Sequence, residues 1–113
     1  MSAAARNVLT LTIKDKQTLY AAYMPFLRFG GLFIPTTRRF RPGQELFMLL
    51  SLIDEPQKLP VAGKIVWVTP QGAQGRRTPG IGLQFNEDQS LVRDKIETYL
   101  AGALSSGRPT YTL

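Results

Sequence analysis

The chain has 113 residues, enough for one domain with a modest core and too few for two. Its 43% hydrophobic and 19% charged residues suit a folded globular domain, and no apolar run approaches the ~20 residues of a membrane-crossing helix. Neither cysteine nor histidine is present, which rules out disulfides and thiol catalysis and nearly excludes zinc sites and the common acid–base pairs.

In chain order, residues 1–7 read as a flexible lead-in without a signal-type apolar core. Residues 8–14 alternate, with Leu9, Leu11 and Ile13 on one face and Thr10 and Thr12 on the other, the pattern of a half-buried strand. Asp15 is placed to cap a short helix running to Tyr23 and stopped by Pro25. A Gly30-Gly31 pair then opens a second strand over 31–35, where glycine permits a positive φ or a close approach. A loop with a Pro42-Gly43 turn leads to residues 45–53, apolar almost throughout, which predicts a strand buried on both sides or at a barrel corner. Residues 59–69 form a long strand in which Gly63 marks a bulge or bend. After a Gly-rich loop, 80–85 close the β part.

The period then changes. Val92, Ile96, Leu100 and Leu104 recur every four residues, an amphipathic helix with Asn86 or Ser90 as its N-cap. Arg93 and Glu97 are spaced to pair along it, and residues 105–113 read as a flexible tail. The whole is a mainly β fold, a small antiparallel barrel with a C-terminal α-helix spanning 8–104. The strand pattern alone equally permits an SH3-like or OB-type barrel.

The net charge of +6 is concentrated early. Up to Gln44, Arg6, Lys14, Lys16, Arg28, Arg38, Arg39 and Arg41 face Asp15 alone, and seven minus one accounts for all of it. Such asymmetry suits an anionic partner or simply a solvated surface. No carboxylate pair reads as catalytic, since Asp54 and Glu55 sit in a turn and Glu87, Asp88 and Asp94 around a helix start. The residues thus predict a non-enzyme, with no cofactor and no metal.

Tyr20, Tyr23, Met24, Phe26, Leu27 and Phe29 are too many large apolar groups for one short connection to bury. Either they pack as core, or some remain exposed beside Arg28 as an interface; the expectation is Phe29 inward with Tyr23 and Phe26 outward. Trp67 faces out if Val66 and Val68 face in, and joins the core if the register is reversed. Outward is the reading adopted, which makes it an interface anchor.

Taken in order, FLRFGGLFIPT (26–36), LPVAGKIVWV (59–68) and GIGLQF (80–85) resemble the PilZ domain family, known for binding cyclic di-GMP, over residues 8–100. Ligand-binding members carry D/N-x-S-x-x-G. With its Gly aligned on Gly31, the acid or amide position falls on Phe26 and the Ser position on Arg28. Of the family's R-x-x-x-R, Arg6 stands alone, with Ser2 and Thr10 at the possible partner positions. One arginine cannot provide the double grip on phosphates and guanine that two provide.

The YMPF segment and the missing motifs are most similar to the type IV pilus assembly branch. That resemblance implies a cytoplasmic adaptor that does not bind cyclic di-GMP. Its partners would be the pilus extension ATPase and a regulator with a degenerate phosphodiesterase domain, and it would neither enter a membrane nor bind nucleic acid. The partner-binding residues expected are Tyr20, Tyr23, Met24, Phe26, Arg28 and Trp67. The alternative is a direct cyclic di-GMP receptor using Arg38, Arg39 and Arg41; a nucleic-acid-binding barrel ranks below it.

Overall fold

A computed structural model describes residues 8–72, 75, 77–101 and 110–112. In chain order they form β1 (Val8–Ile13), α1 (Lys16–Ala22), β2 (Gly31–Pro35), β3 (Glu45–Leu52), β4 (Leu59–Thr69), β5 (Gly80–Phe85) and α2 (Ser90–Tyr99). The strands make one curled half-barrel sheet in the order β1-β3-β4-β5-β2. The pairs β3–β4, β4–β5 and β2–β5 are antiparallel, whereas β1 lies parallel to β3. A parallel neighbour needs a crossover, and the chain through α1 and β2 supplies it. Helix α1 touches both edge strands, β1 and β2. The Asp15 carboxylate caps this helix, accepting from the Thr18 N–H at 2.7 Å as the sequence predicts.

The concave face carries the main core. Leu32, Ile65, Leu83 and Phe85 are fully buried there, and α2 closes it with Val92, Ile96 and Leu100. Strand β3 is not buried on both sides. Leu46, Met48, Leu50 and Leu52 point in, while Phe47 is 41% exposed and Leu49 half-buried. Helix α2 begins at Ser90 with Gln89 as its N-cap and no side-chain capping bond, so neither Asn86 nor Ser90 caps it. The Gln89 side chain is committed elsewhere, its Oε1 accepting from the Ala62 N–H at 3.1 Å. Leu104 lies outside the described residues.

A tight turn after β3 places Ile53 at φ 40°, a strained value for a β-branched residue. Its N–H donates to the Ile13 carbonyl at 2.8 Å, which holds the turn against β1. The same turn presents Glu55 to α2, where Lys95 Nζ and the Tyr99 hydroxyl donate to it at 3.0 and 3.2 Å.

The expected loose tail does not hold for its described part. The Tyr111 ring stacks on Phe33 at 5.0 Å, and its N–H donates to the Ala21 carbonyl at 2.9 Å. Thr112 is buried, and Arg77 donates to its carbonyl at 3.1 Å. Aromatic stacking and backbone bonding are tertiary events that the polar composition of the tail does not announce.

Candidate partner-binding surface

The irregularity in β4 lies between Ile65 and Trp67, not at Gly63. Gly63 is instead a point of close approach, where a Cβ would overlap the Gln84 carbonyl. The bulge alters which face Trp67 occupies. Ile65 pairs with Leu83 and faces the core, whereas Trp67 pairs with Gly82, one residue along β5 and on the opposite face. Trp67 therefore lies on the opposite face from Ile65, where it packs against the core, while Val66 and Val68, on whose inward orientation the outward reading depended, are 39% and 40% exposed. It is only half-buried there, and its Nε1–H donates to Thr69 Oγ1 at 2.8 Å.

Glycines shape this outer wall. A Cβ on Gly82 would come within 2.7 Å of both Met24 Cε and Trp67 Cβ, and one on Gly80 within 2.5 Å of the Phe33 ring. The missing side chains are seats for Met24, Trp67 and Phe33. All three lie on this face, Met24 and Phe33 fully buried; Tyr111 covers Phe33, and Phe26 reaches Trp67 at 6.3 Å between ring centroids.

Residues 23–31 carry Phe26 to this place. Tyr23 ends α1 and bridges to Leu32, which turns Tyr23 to the core side and Met24 to the outer side. The Met24 N–H donates to the Gly31 carbonyl at 2.9 Å and the Gly30 N–H to the Leu27 carbonyl at 3.0 Å, closing a compact loop. Gly30 adopts φ 76°, and a Cβ there would stand 3.0 Å from the Tyr23 hydroxyl. Gly31 answers the other need of the pair, since a Cβ would meet the Leu83 carbonyl oxygen at 2.5 Å.

Beneath the loop, the Tyr23 hydroxyl donates to Glu97 Oε2 at 2.5 Å. Burial, reinforced by that carboxylate, pushes the tyrosine's pKa well above the ordinary 10.0. Arg93 donates to the same oxygen at 3.4 Å, the expected i, i+4 pair, and its Nη1 reaches the Arg28 carbonyl at 3.4 Å. The hydrogen bond to Glu97 raises Arg93 further above the usual guanidinium value.

The six residues expected to bind partners are thus separated. Tyr20, Tyr23 and Met24 are buried, the last two on opposite faces of the sheet, and form no exposed patch. Phe26 is 47% exposed beside half-buried Trp67, and exposed Arg28 lies at the rim with its guanidinium 5.2 Å over the Phe29 ring. Phe29 is half-buried against the core. Of the degenerate motif positions, Phe26, Arg28 and Gly31 come together in this loop, and Arg6 lies outside the described residues. Phe33, Gly80 and Gly82 fall within segments 26–36 and 80–85, which carry the family resemblance, but their role in shaping this wall is signalled in the sequence only by the alternating G-x-G opposite an aromatic strand residue.

Arg38 and Arg39 line a separate cleft of about 610 Å³ between residues 36–40 and the end of β4, while Arg41 lies in the adjoining turn. Among the described residues, no group of three or more Asp or Glu side chains could hold a metal, and no helix is long and apolar enough to cross a membrane.

A five-strand curled half-barrel closed by a C-terminal helix is consistent with the family comparison. The PilZ domain model matches residues 5–102, and the chain belongs to that family. PilZ domains are generally non-catalytic binding modules linked to cyclic di-GMP, serving as receptors or adaptors. No curated protein matches the chain.

Proposed function

We propose that this PilZ domain is a non-catalytic adaptor in type IV pilus assembly. It would act in the cytoplasm, bind the pilus extension ATPase and a cyclic di-GMP-responsive regulator with a degenerate phosphodiesterase domain, and hold no cyclic di-GMP itself. The observation that carries this reading is the identity and exposure of the loop. Where ligand-binding relatives offer an acid or amide and a small hydroxyl, this chain offers a solvent-facing phenyl ring and a long cation. A phenyl beside a half-exposed tryptophan, with an arginine at its rim, has the composition of a protein-binding hot spot.

The contact surface consists of Phe26, Trp67 and Arg28, backed by Met24, which sits beside Trp67 over Gly82; Tyr20 and Tyr23 are buried and take no part in it. Binding of the purified extension ATPase to the wild-type chain and to Phe26→Asp tests it. The adaptor reading predicts at least a roughly tenfold loss in the variant, the effect of removing one hot-spot residue. Equal binding by the two chains would remove this surface from the proposal.

A receptor reading finds support in one place, the Arg38–Arg39 cleft, which opens at the end of β2 away from Gly31.

A further inference from the structure

The loop following β2 is pinned at several points. The Thr36 N–H donates to the Pro79 carbonyl at 3.1 Å, and Thr36 Oγ1 accepts the Arg38 N–H at 3.0 Å. At the far end, the Gly43 N–H donates to the Ile65 carbonyl at 2.7 Å. This loop forms one wall of the 610 Å³ cleft; β4 supplies Val68, 40% exposed, and buried Thr69. The volume falls in the range of ligand-binding clefts.

The polar lining is one-sided. Arg38 and Arg39 are permanent cations, and no Asp or Glu lines the cleft among the described residues. Two of its threonine hydroxyls already accept an N–H, Thr36 from Arg38 and Thr69 from the Trp67 indole, so each keeps its own hydrogen to donate. Cations and hydroxyl donors beside an exposed valine call for an anionic group joined to an apolar one.

The aromatic lining argues against a nucleobase. The one aromatic residue among the described lining is Phe40; its ring already carries the Arg38 guanidinium at 5.0 Å, and it packs against the core. We infer that the cleft is a docking site for an acidic segment of a protein partner, with carboxylates at Arg38 and Arg39 and an apolar side chain on Val68. The inference extends the adaptor reading to a second surface, separate from Phe26 and Trp67.

The probe is a blocked hexapeptide of alternating glutamate and leucine, with its lysine–leucine counterpart as control. Amide NMR of the full chain, titrated with each, reads both site and affinity. Expected are shifts confined to residues 36–40, 68, 69 and 80 with the acidic peptide alone, and at least roughly tenfold weaker binding in Arg38→Glu/Arg39→Glu. Arg38→Gln/Arg39→Gln, a milder change, should weaken binding several-fold, and unmoved Leu83 and Ile96 signals would verify both folds. Phe26→Asp should bind the peptide as wild type does, so loss of the ATPase contact and loss of the cleft contact are separable. Acidic-peptide shifts that fall elsewhere, or that survive both arginine replacements, would overturn the inference. Saturation of the cleft by cyclic di-GMP or inorganic phosphate, with no response to the acidic peptide, would overturn it in favour of a small anion.

Discussion

The two faces of the sheet are filled by different means. Inside, branched and aromatic side chains from β2, β4, β5 and α2 interlock, each buried by several others. Outside, over β5, the strand contributes glycine at positions 80 and 82, and the volume is filled from elsewhere by Met24, Phe33, Trp67 and Tyr111. The inner face needs only the right apolar volume at alternate positions. The outer layer depends on absent side chains and on chain segments far apart in sequence, and its margin reaches solvent at Phe26. Both layers bury fully enclosed side chains, Met24 and Phe33 among them, and the proposed recognition surface lies at the solvent-facing margin of the outer one.

Substitutions that strike each face separately sharpen this contrast. Leu83→Ala, at a fully buried inner position, should cost about 2–5 kcal/mol in denaturant unfolding, the range for deleting a core leucine. Gly82→Val should cost about 1–3 kcal/mol by overpacking, because Trp67 Cβ, unlike the end of Met24, cannot swing away. Its more telling effect is a Trp67 fluorescence change in the folded state, which Leu83→Ala should not produce.

Tyr23→Phe removes one hydrogen bond to a carboxylate and should cost about 1 kcal/mol. Because the folded-state pKa of Tyr23 is raised, its contribution is complete below the unfolded value of 10.0 and is lost as pH rises through the folded value. Wild type should lose stability in alkali above about pH 10, more steeply than the phenylalanine variant. Glu55 behaves in the opposite sense. The Lys95 hydrogen bond lowers its pKa, so its contribution is present above the unfolded value and is lost as pH falls through the folded one. Lys95→Met should flatten the acid limb of a stability–pH curve, a small effect at a half-buried, solvent-screened pair. Smallest in stability is Phe26→Ala, within about 0.5 kcal/mol of wild type, although the adaptor reading gives it a large effect on partner binding.

Much of the fold was legible in the sequence because its strands obey short-range rules. The alternation of residues 8–14, the Gly-Gly entry to β2 and the four-residue recurrence in α2 each reflect contacts within one element. The errors fall where pairing partners decide. A bulge leaves the run Ile65-Val66-Trp67-Val68 looking like plain strand, yet it moves Trp67 to the opposite face from Ile65. The sequence sets Tyr23 and Met24 side by side in one apolar segment, whereas the bridge from Tyr23 to Leu32 sends them to opposite sides of the sheet. The parallel β1–β3 pairing and the docked Tyr111 are likewise long-range contacts that leave no local pattern.

The adaptor reading is tested most directly by calorimetric titration of the full chain with cyclic di-GMP at low and moderate salt, read beside amide NMR of residues 26–31 and 36–41. It predicts no saturable heat and unmoved signals in both segments, because a phenyl ring and Arg28 stand where the motif's polar groups are needed. Saturable binding of micromolar strength or better, with defined stoichiometry and shifts in either segment, would contradict it and make this chain a receptor.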